Sequence, residues 1–317
     1  MNQTLLIETL PLIGRFSRTA PLGLRFWDDA TGKVVGDGLV VTAYPPDSPL
    51  RRIEAIVNRA GVYVLSGLPG LTAVEFGNGD DEFWAKPPAR GTFKIEVVDA
   101  WKRFQPFLLT IDAPVKGIIT SPEPGGGSPP ETGRGISLYS TATRSVPAAM
   151  AVLRADLREW KSAGDHEGDP ARWAVIEARA GGRRLARGVA DEQGQIALLF
   201  AYPAPVTHPL GSPPAISPPG AEGPSLRDQQ WTIELTASFE KLSPAPPFPG
   251  APALPELVDI LSQPPATLWA DTERHEILTD EVLSFGEELV VRSVDRTINN
   301  PKKRRSVLLI SAAGSPP

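Results

Sequence analysis

No cysteine occurs among the 317 residues. That excludes disulfide staples, thiolate metal centres and thiol nucleophiles. Histidine is nearly as scarce. His166, His208 and His275 are the three present, each in a polar or proline-rich stretch. None has a second histidine or an acidic residue at a metal-ligand spacing, so a surface role is expected for all three. No run approaches 18 uncharged apolar residues, so no membrane span is expected. The first residues lack a basic region, and Glu8 interrupts their apolar run, which argues against a secretory signal peptide. Synthesis in the cytoplasm is the expectation, with release outside the cell only by lysis or a dedicated apparatus. A basic excess is missing as well. The net charge is −5, which gives nucleic acid no footing as a partner.

Catalytic signatures are absent too. No serine sits in a Gly-x-Ser-x-Gly elbow, and Gly125-Gly126-Gly127 lack the Gly-Lys-Ser/Thr ending of a phosphate loop. The acidic groups Asp28-Asp29, Asp80-Asp81-Glu82 and Glu287-Glu288 read as solvated turns. The loop Gly77-Asn78-Gly79-Asp80-Asp81-Glu82 offers hard oxygen ligands, but not at the spacing of a calcium loop. Two acids distant in the chain could still form a glycosidase pair, and no motif favours that option. The expectation is a protein that is not an enzyme, with no catalytic residue, no cofactor and no metal.

Proline and glycine are what the chain has in abundance. Together they fill 64 positions, about a fifth of the total. Proline lacks the amide proton and glycine lacks backbone restriction, so turns are favoured over long helices. Between the turns lie short strand patterns. Segments 22–27, 39–44, 61–65, 92–98 and 107–111 read as strands of a first unit. The clearest is 92–98, where Phe93, Ile95 and Val97 alternate with Lys94 and Glu96. Segments 173–178, 185–190, 195–200 and 231–237 form a second set. A helix is expected at 255–261, with proline in its first turn. Two last strands, 283–292 and 306–311, would be joined by a basic loop holding Lys302-Lys303-Arg304-Arg305, a solvated hairpin tip. The seven tryptophans are scattered through strands, which favours core packing over a stacking platform.

The fold class expected is therefore all-β, with two β-sandwich domains and a small C-terminal helix-plus-hairpin extension. The boundaries follow the proline and glycine clusters. Residues 1–21 form an N-terminal arm, 22–120 the first sandwich and 121–134 a Pro/Gly linker. Residues 135–243 form the second sandwich, with a long Pro-rich loop at 203–224. Residues 244–317 form an extension packing on the second sandwich. A weak internal repeat links Asn58-Arg59-Ala60-Gly61 with Asp191-Glu192-Gln193-Gly194. In each, Asn or Asp can bond its own backbone while glycine takes the positive φ of a tight turn.

The arm carries many large apolar side chains. Leu5, Ile7, Leu10, Leu12, Ile13 and Phe16 form the candidate partner interface, either as a strand of their own domain or as one added to a neighbouring subunit.

The stretch from Trp27 to Leu71, with Asp29-Ala30-Thr31-Gly32-Lys33, Asn58-Arg59-Ala60-Gly61-Val62-Tyr63 and Gly67-Leu68-Pro69-Gly70, resembles a transthyretin-like, carboxypeptidase-regulatory β-sandwich. The continuation Val97-Val98-Asp99-Ala100-Trp101-Lys102-Arg103-Phe104-Gln105-Pro106-Phe107 is more distinctive, and it is joined by Gly188-Val189-Ala190-Asp191-Glu192-Gln193-Gly194 and Phe285-Gly286-Glu287-Glu288-Leu289-Val290. With them, most of the chain is similar to accessory proteins of extracellular contractile injection systems, which are phage-tail-like particles. That resemblance implies a structural or adaptor subunit at the cap or baseplate end. Its partners would be sheath, tube, cap or baseplate proteins, with neither nucleic acid nor a membrane span. A carbohydrate-binding or adhesion module of the same sandwich type is the alternative.

Overall fold

The computed structural model describes residues 18–77, 80–119, 135–147, 149–161, 168–204, 226–294 and 306–313. The protein is mostly β-structure, as its composition predicts. Strands β1 (Leu22–Asp28), β2 (Lys33–Val35), β3 (Leu39–Tyr44), β4 (Ile53–Glu54), β5 (Ile56–Val57) and β6 (Val62–Leu65) come first. Two short helices follow, α1 (Thr72–Glu75) and α2 (Asp81–Ala85), then β7 (Gly91–Asp99) and β8 (Phe107–Ala113). One sheet runs β2-β1-β6-β5 and a second β4-β3-β7-β8. Each turns its apolar alternation inward, so Leu22, Leu24 and Phe26 of β1 share a core with Phe93, Ile95 and Val97 of β7. This is the first sandwich.

Its boundary differs from the one drawn at residue 120. Strand β9 (Ile136–Leu138) lies parallel to β1, with Phe26 opposite Ile136 and Asp28 opposite Leu138. Ile136, Leu138 and Tyr139 are buried in the first core. These residues were expected in the second sandwich, because the glycine- and proline-rich stretch before them reads as a separator. That stretch, 121–134, lies outside the described residues.

The second lobe is built on β10 (Met150–Glu159), β11 (Val175–Ala180), β12 (Arg183–Val189), β13 (Gln195–Ala201) and β14 (Gln230–Ser238). After helix α3 (Leu257–Leu261) come β15 (Pro265–Asp271), β16 (Glu276–Ile277), β17 (Asp280–Ser284), β18 (Leu289–Val290) and β19 (Leu308–Ala312). The sheet order is β12-β11-β14-β15-β19-β10-β13, and it curls until β13 lies alongside β12 without a ladder between them. Leucine, isoleucine, alanine and Phe200 fill the space inside.

The C-terminal segment is thus part of this sheet and does not merely pack on it. Nor does it end in a hairpin. Strands β18 and β19 do not pair with each other. Both run parallel to β10, at Leu153–Arg154 and at Leu157–Glu159, so they form two pieces of one interrupted lane. Helix α3 also departs from expectation, because Leu257 and Ile260 are buried in the first lobe's core. Just before it, Glu256 accepts hydrogen bonds from Lys94 and from Thr110 Oγ1. The Leu108 amide donates to the Pro255 carbonyl at 2.9 Å.

Trp173, Val175 and Val189 complete the junction, since their side chains belong to the first core although their backbone belongs to the second lobe. Trp173 has φ +59, an unusual conformation for a bulky residue. It places Trp173 in one core and the next residue, Ala174, in the other.

A candidate interaction surface

The internal repeat proves to be a single turn used three times. In the first copy the Gly61 amide donates to the Asn58 carbonyl at 3.0 Å, and Asn58 Oδ1 accepts from the amides of Ala60 and Val62. In another, the Gly194 amide donates to the Asp191 carbonyl at 3.1 Å, and Asp191 Oδ1 accepts from Gln193 and Gln195. Gly61 and Gly194 have φ of +72 and +80.

The third copy has no glycine. It is Asp99-Ala100-Trp101-Lys102, between β7 and β8. The Lys102 amide donates to the Asp99 carbonyl at 3.0 Å, and the Asp99 carboxylate accepts from the Trp101 and Arg103 amides. Lys102 stands where the other copies have glycine, at φ +56. A left-handed conformation costs a residue with a Cβ about 1–2 kcal/mol. Lys102→Gly is therefore expected to stabilise the protein by about 1 kcal/mol. Urea unfolding would check this, and a lower midpoint would show that the lysine stem contributes packing that outweighs the strain.

The residue at the outermost position of each turn is Ala60, Gln193 or Trp101. All three are exposed. The fold thus accepts a small or polar residue here, and in the third copy it carries an indole 59% open to solvent. The other six tryptophans are buried or half-buried, so the expectation of core packing fails at Trp101 alone. The ring is held in place from below. The Arg103 guanidinium lies 4.4 Å from its centroid. Arg103 in turn donates to the fully buried Asp99 carboxylate at 3.0 and 3.1 Å, and to the Asp37 carbonyl at 2.7 Å. Gly38, at φ +74, makes room for both. A Cβ there would come within 2.9 Å of the ring and 2.7 Å of the guanidinium.

Behind this tip stands a second arginine. Arg144 lies 4.7 Å from the Phe104 centroid and donates to both Asp28 oxygens at 3.0 and 2.6 Å. Arg154 of β10 donates to the Ala142 carbonyl and so ties this segment to the second lobe.

The other candidate features end in structural roles. Leu5, Ile7, Leu10, Leu12, Ile13 and Phe16 lie outside the described residues. The chain emerges at Arg18 and Thr19, where Arg18 pairs with the buried Glu75 and the Thr19 amide donates to the Glu75 carbonyl. Asp80 caps α2 by accepting from the Phe83 amide, and Asp81 pairs with Lys116. Glu288 pairs with Arg154 at 3.0 Å. His275 sits beside the paired rings of Trp160 and Trp269. His166, His208 and the basic run at 302–305 lie outside the described residues, as does most of the loop at 203–224. Among the described residues no cluster of three or more histidines and carboxylates could hold a metal ion, and no helix is long and apolar enough to cross a membrane. A cleft of about 560 Å³ opens on the second lobe beside Trp173, bounded by Asp169, Arg172, Trp173, Phe239 and Lys241.

No family model and no curated protein matches the sequence. A crystal structure of a candidate adhesin from Bacteroides ovatus aligns over 96% of this chain and 99% of its own, with 12% identity and a TM-score of 0.19.

Proposed function

We propose that the protein is a non-catalytic structural or adaptor subunit that docks other proteins through Trp101 and its supports. The setting that its sequence resemblance suggests is the cap or baseplate end of a phage-tail-like contractile injection particle. Trp101 carries the reading. It occupies a turn position that the fold fills elsewhere with alanine or glutamine, and it is held by Arg103, Asp99 and Gly38. Tryptophan and arginine lead the residues that dominate protein interfaces, and a ring fixed beforehand loses little entropy on docking. The strand and turn that bear it, residues 97–107, are also the most distinctive part of the resemblance.

Trp101→Ala is expected to weaken co-purification with sheath, tube, cap or baseplate proteins by about 2 kcal/mol or more, some thirtyfold, at an unchanged melting temperature. Undiminished capture by those proteins would overturn the reading. So would a glycan that the wild type binds and the variant does not, with particle incorporation intact. That outcome would favour the adhesion alternative.

A further inference from the structure

The outer face of the second lobe carries a row of four charges whose order is set by strand register. Arg184 of β12 lies opposite Arg179 of β11, Arg179 opposite Glu234 of β14, and Glu234 opposite Asp280 of β17. Across the sheet the row reads plus, plus, minus, minus. Its two halves are like-charged neighbours, an arrangement that destabilises a sheet on its own.

The basic half is partly relieved. Glu177 lies 3.2 Å from Arg179, 3.8 Å from Arg184 and 2.6 Å from Arg187, so one carboxylate serves three guanidinium groups. Arg183 next to them is exposed at the hairpin end. The acidic half has no such relief. Among the described residues neither Glu234 nor Asp280 has a cationic partner, and both are exposed. Strand β17 is hydrogen-bonded to β14, with β18 close to it, and exposed Val282 shares its outward face with Asp280.

We infer that copies of this chain associate with one another, the Arg179, Arg183 and Arg184 half of one row meeting the Glu234 and Asp280 half of another. Charge order selects this arrangement. A symmetric contact through β12 would bring arginines against arginines, and one through β17 carboxylates against carboxylates. A contact of the basic half of one copy with the acidic half of another sets opposite signs together. Made reciprocally about a two-fold axis the contact closes as a dimer, and made in one direction it continues as a ring or filament. The inference names a partner for the assembly role proposed above, but its surface is separate from Trp101 and its test does not involve that residue.

The test is sedimentation velocity of the full chain at low salt and at about 1 M salt, where screening shortens the reach of these charges to about 3 Å. Wild type should associate at low salt, with at least a tenfold weaker constant at high salt. The double variant Arg179→Glu/Arg184→Glu should be monomeric, and so should Glu234→Lys/Asp280→Lys. Each reversed chain then has two margins of one sign, so mixing the two variants should restore association. That restoration also shows that both variants are folded. A wild type that is monomeric at both salts overturns the inference, as does association unaffected by reversal or a mixture that stays monomeric.

Discussion

Trp173→Ala should lower stability by about 3–5 kcal/mol and turn one calorimetric transition into two. The indole is buried in the first lobe's core while its backbone leads into β11 of the second. Removing it therefore empties one core at the point where the other begins. Its carbonyl accepts from Gln263 Nε2 at 2.8 Å, and Gln263 Oε1 accepts from the Glu240 amide. The backbone path is thus held independently of the ring, and the loss should come from the side chain. The Glu256 contacts and α3 would still join the lobes, so the weakened lobe should melt first without the protein coming apart. Trp173→Phe should retain a single transition at a slightly lower temperature. One unchanged transition in the alanine variant would show that the lobes are coupled elsewhere.

An effect of similar size is expected at Arg144, for an electrostatic reason. Its side chain is 9% exposed and that of Asp28 is 6% exposed. Breaking a buried pair by removing one partner costs about 3–5 kcal/mol, because the remaining charge is left in a poor solvent. Burial by itself pushes the Asp28 carboxyl up, but hydrogen bonds from Arg144 and Thr31 outweigh it and hold the group below the usual carboxylate range. A carboxylate depressed on folding contributes stability at pH values above its unfolded value, about 3.9. That contribution is lost as the pH falls through the folded value. In Arg144→Ala only the Thr31 and Ala30 hydrogen bonds still oppose burial, so the Asp28 carboxyl should rise from its depressed position. The variant's deficit should then be largest near neutrality and should shrink below about pH 4. Urea unfolding of both proteins at the two pH values would measure this. A deficit independent of pH would mean that lost packing against Phe104 dominates. Arg144→Lys keeps the charge but not the two-pronged geometry and should fall between.

Where one side chain in two meets the core, the sequence is a sufficient guide. In β7 the buried apolar residues are Phe93, Ile95 and Val97, as the alternation predicts, and outward-facing Lys94 finds Glu256. The Asn58 and Asp191 turns are equally readable, because a side chain bonding its own backbone needs no distant partner. Long-range pairing is what escapes. Strand β9 is three residues whose place beside β1 depends on contacts more than 100 residues away. Strand β10 is disguised by Arg154, Asp156, Arg158 and Glu159, although Leu153, Ala155 and Leu157 keep the same alternation. Trp101 escaped because an aromatic residue after a strand reads as core. The signal was there in the spacing. Asp99 and Lys102 stand as far apart as Asn58 and Gly61, which places Trp101 at the outermost point of the turn. The charged row on the second lobe required register, which composition does not carry.

The interrupted lane beside β10 also bears on how the chain is made. Leu157 finds its partner Leu308 only after 151 further residues have been synthesised. At roughly 5–20 residues per second that is a wait of about 8–30 s. Until then the β19 position beside β10 stands empty, while the residues to its C-terminal side already offer strands of their own. A nascent chain that closes this gap early, with β11 or β14 in the wrong lane, would have to reopen it before β19 could enter. Slow translation between β14 and β19 should therefore reduce the yield of native protein, whereas the strands of the first lobe's two sheets are all present once β9 is made, and its core then waits only for residues such as Leu257 and Ile260 of α3.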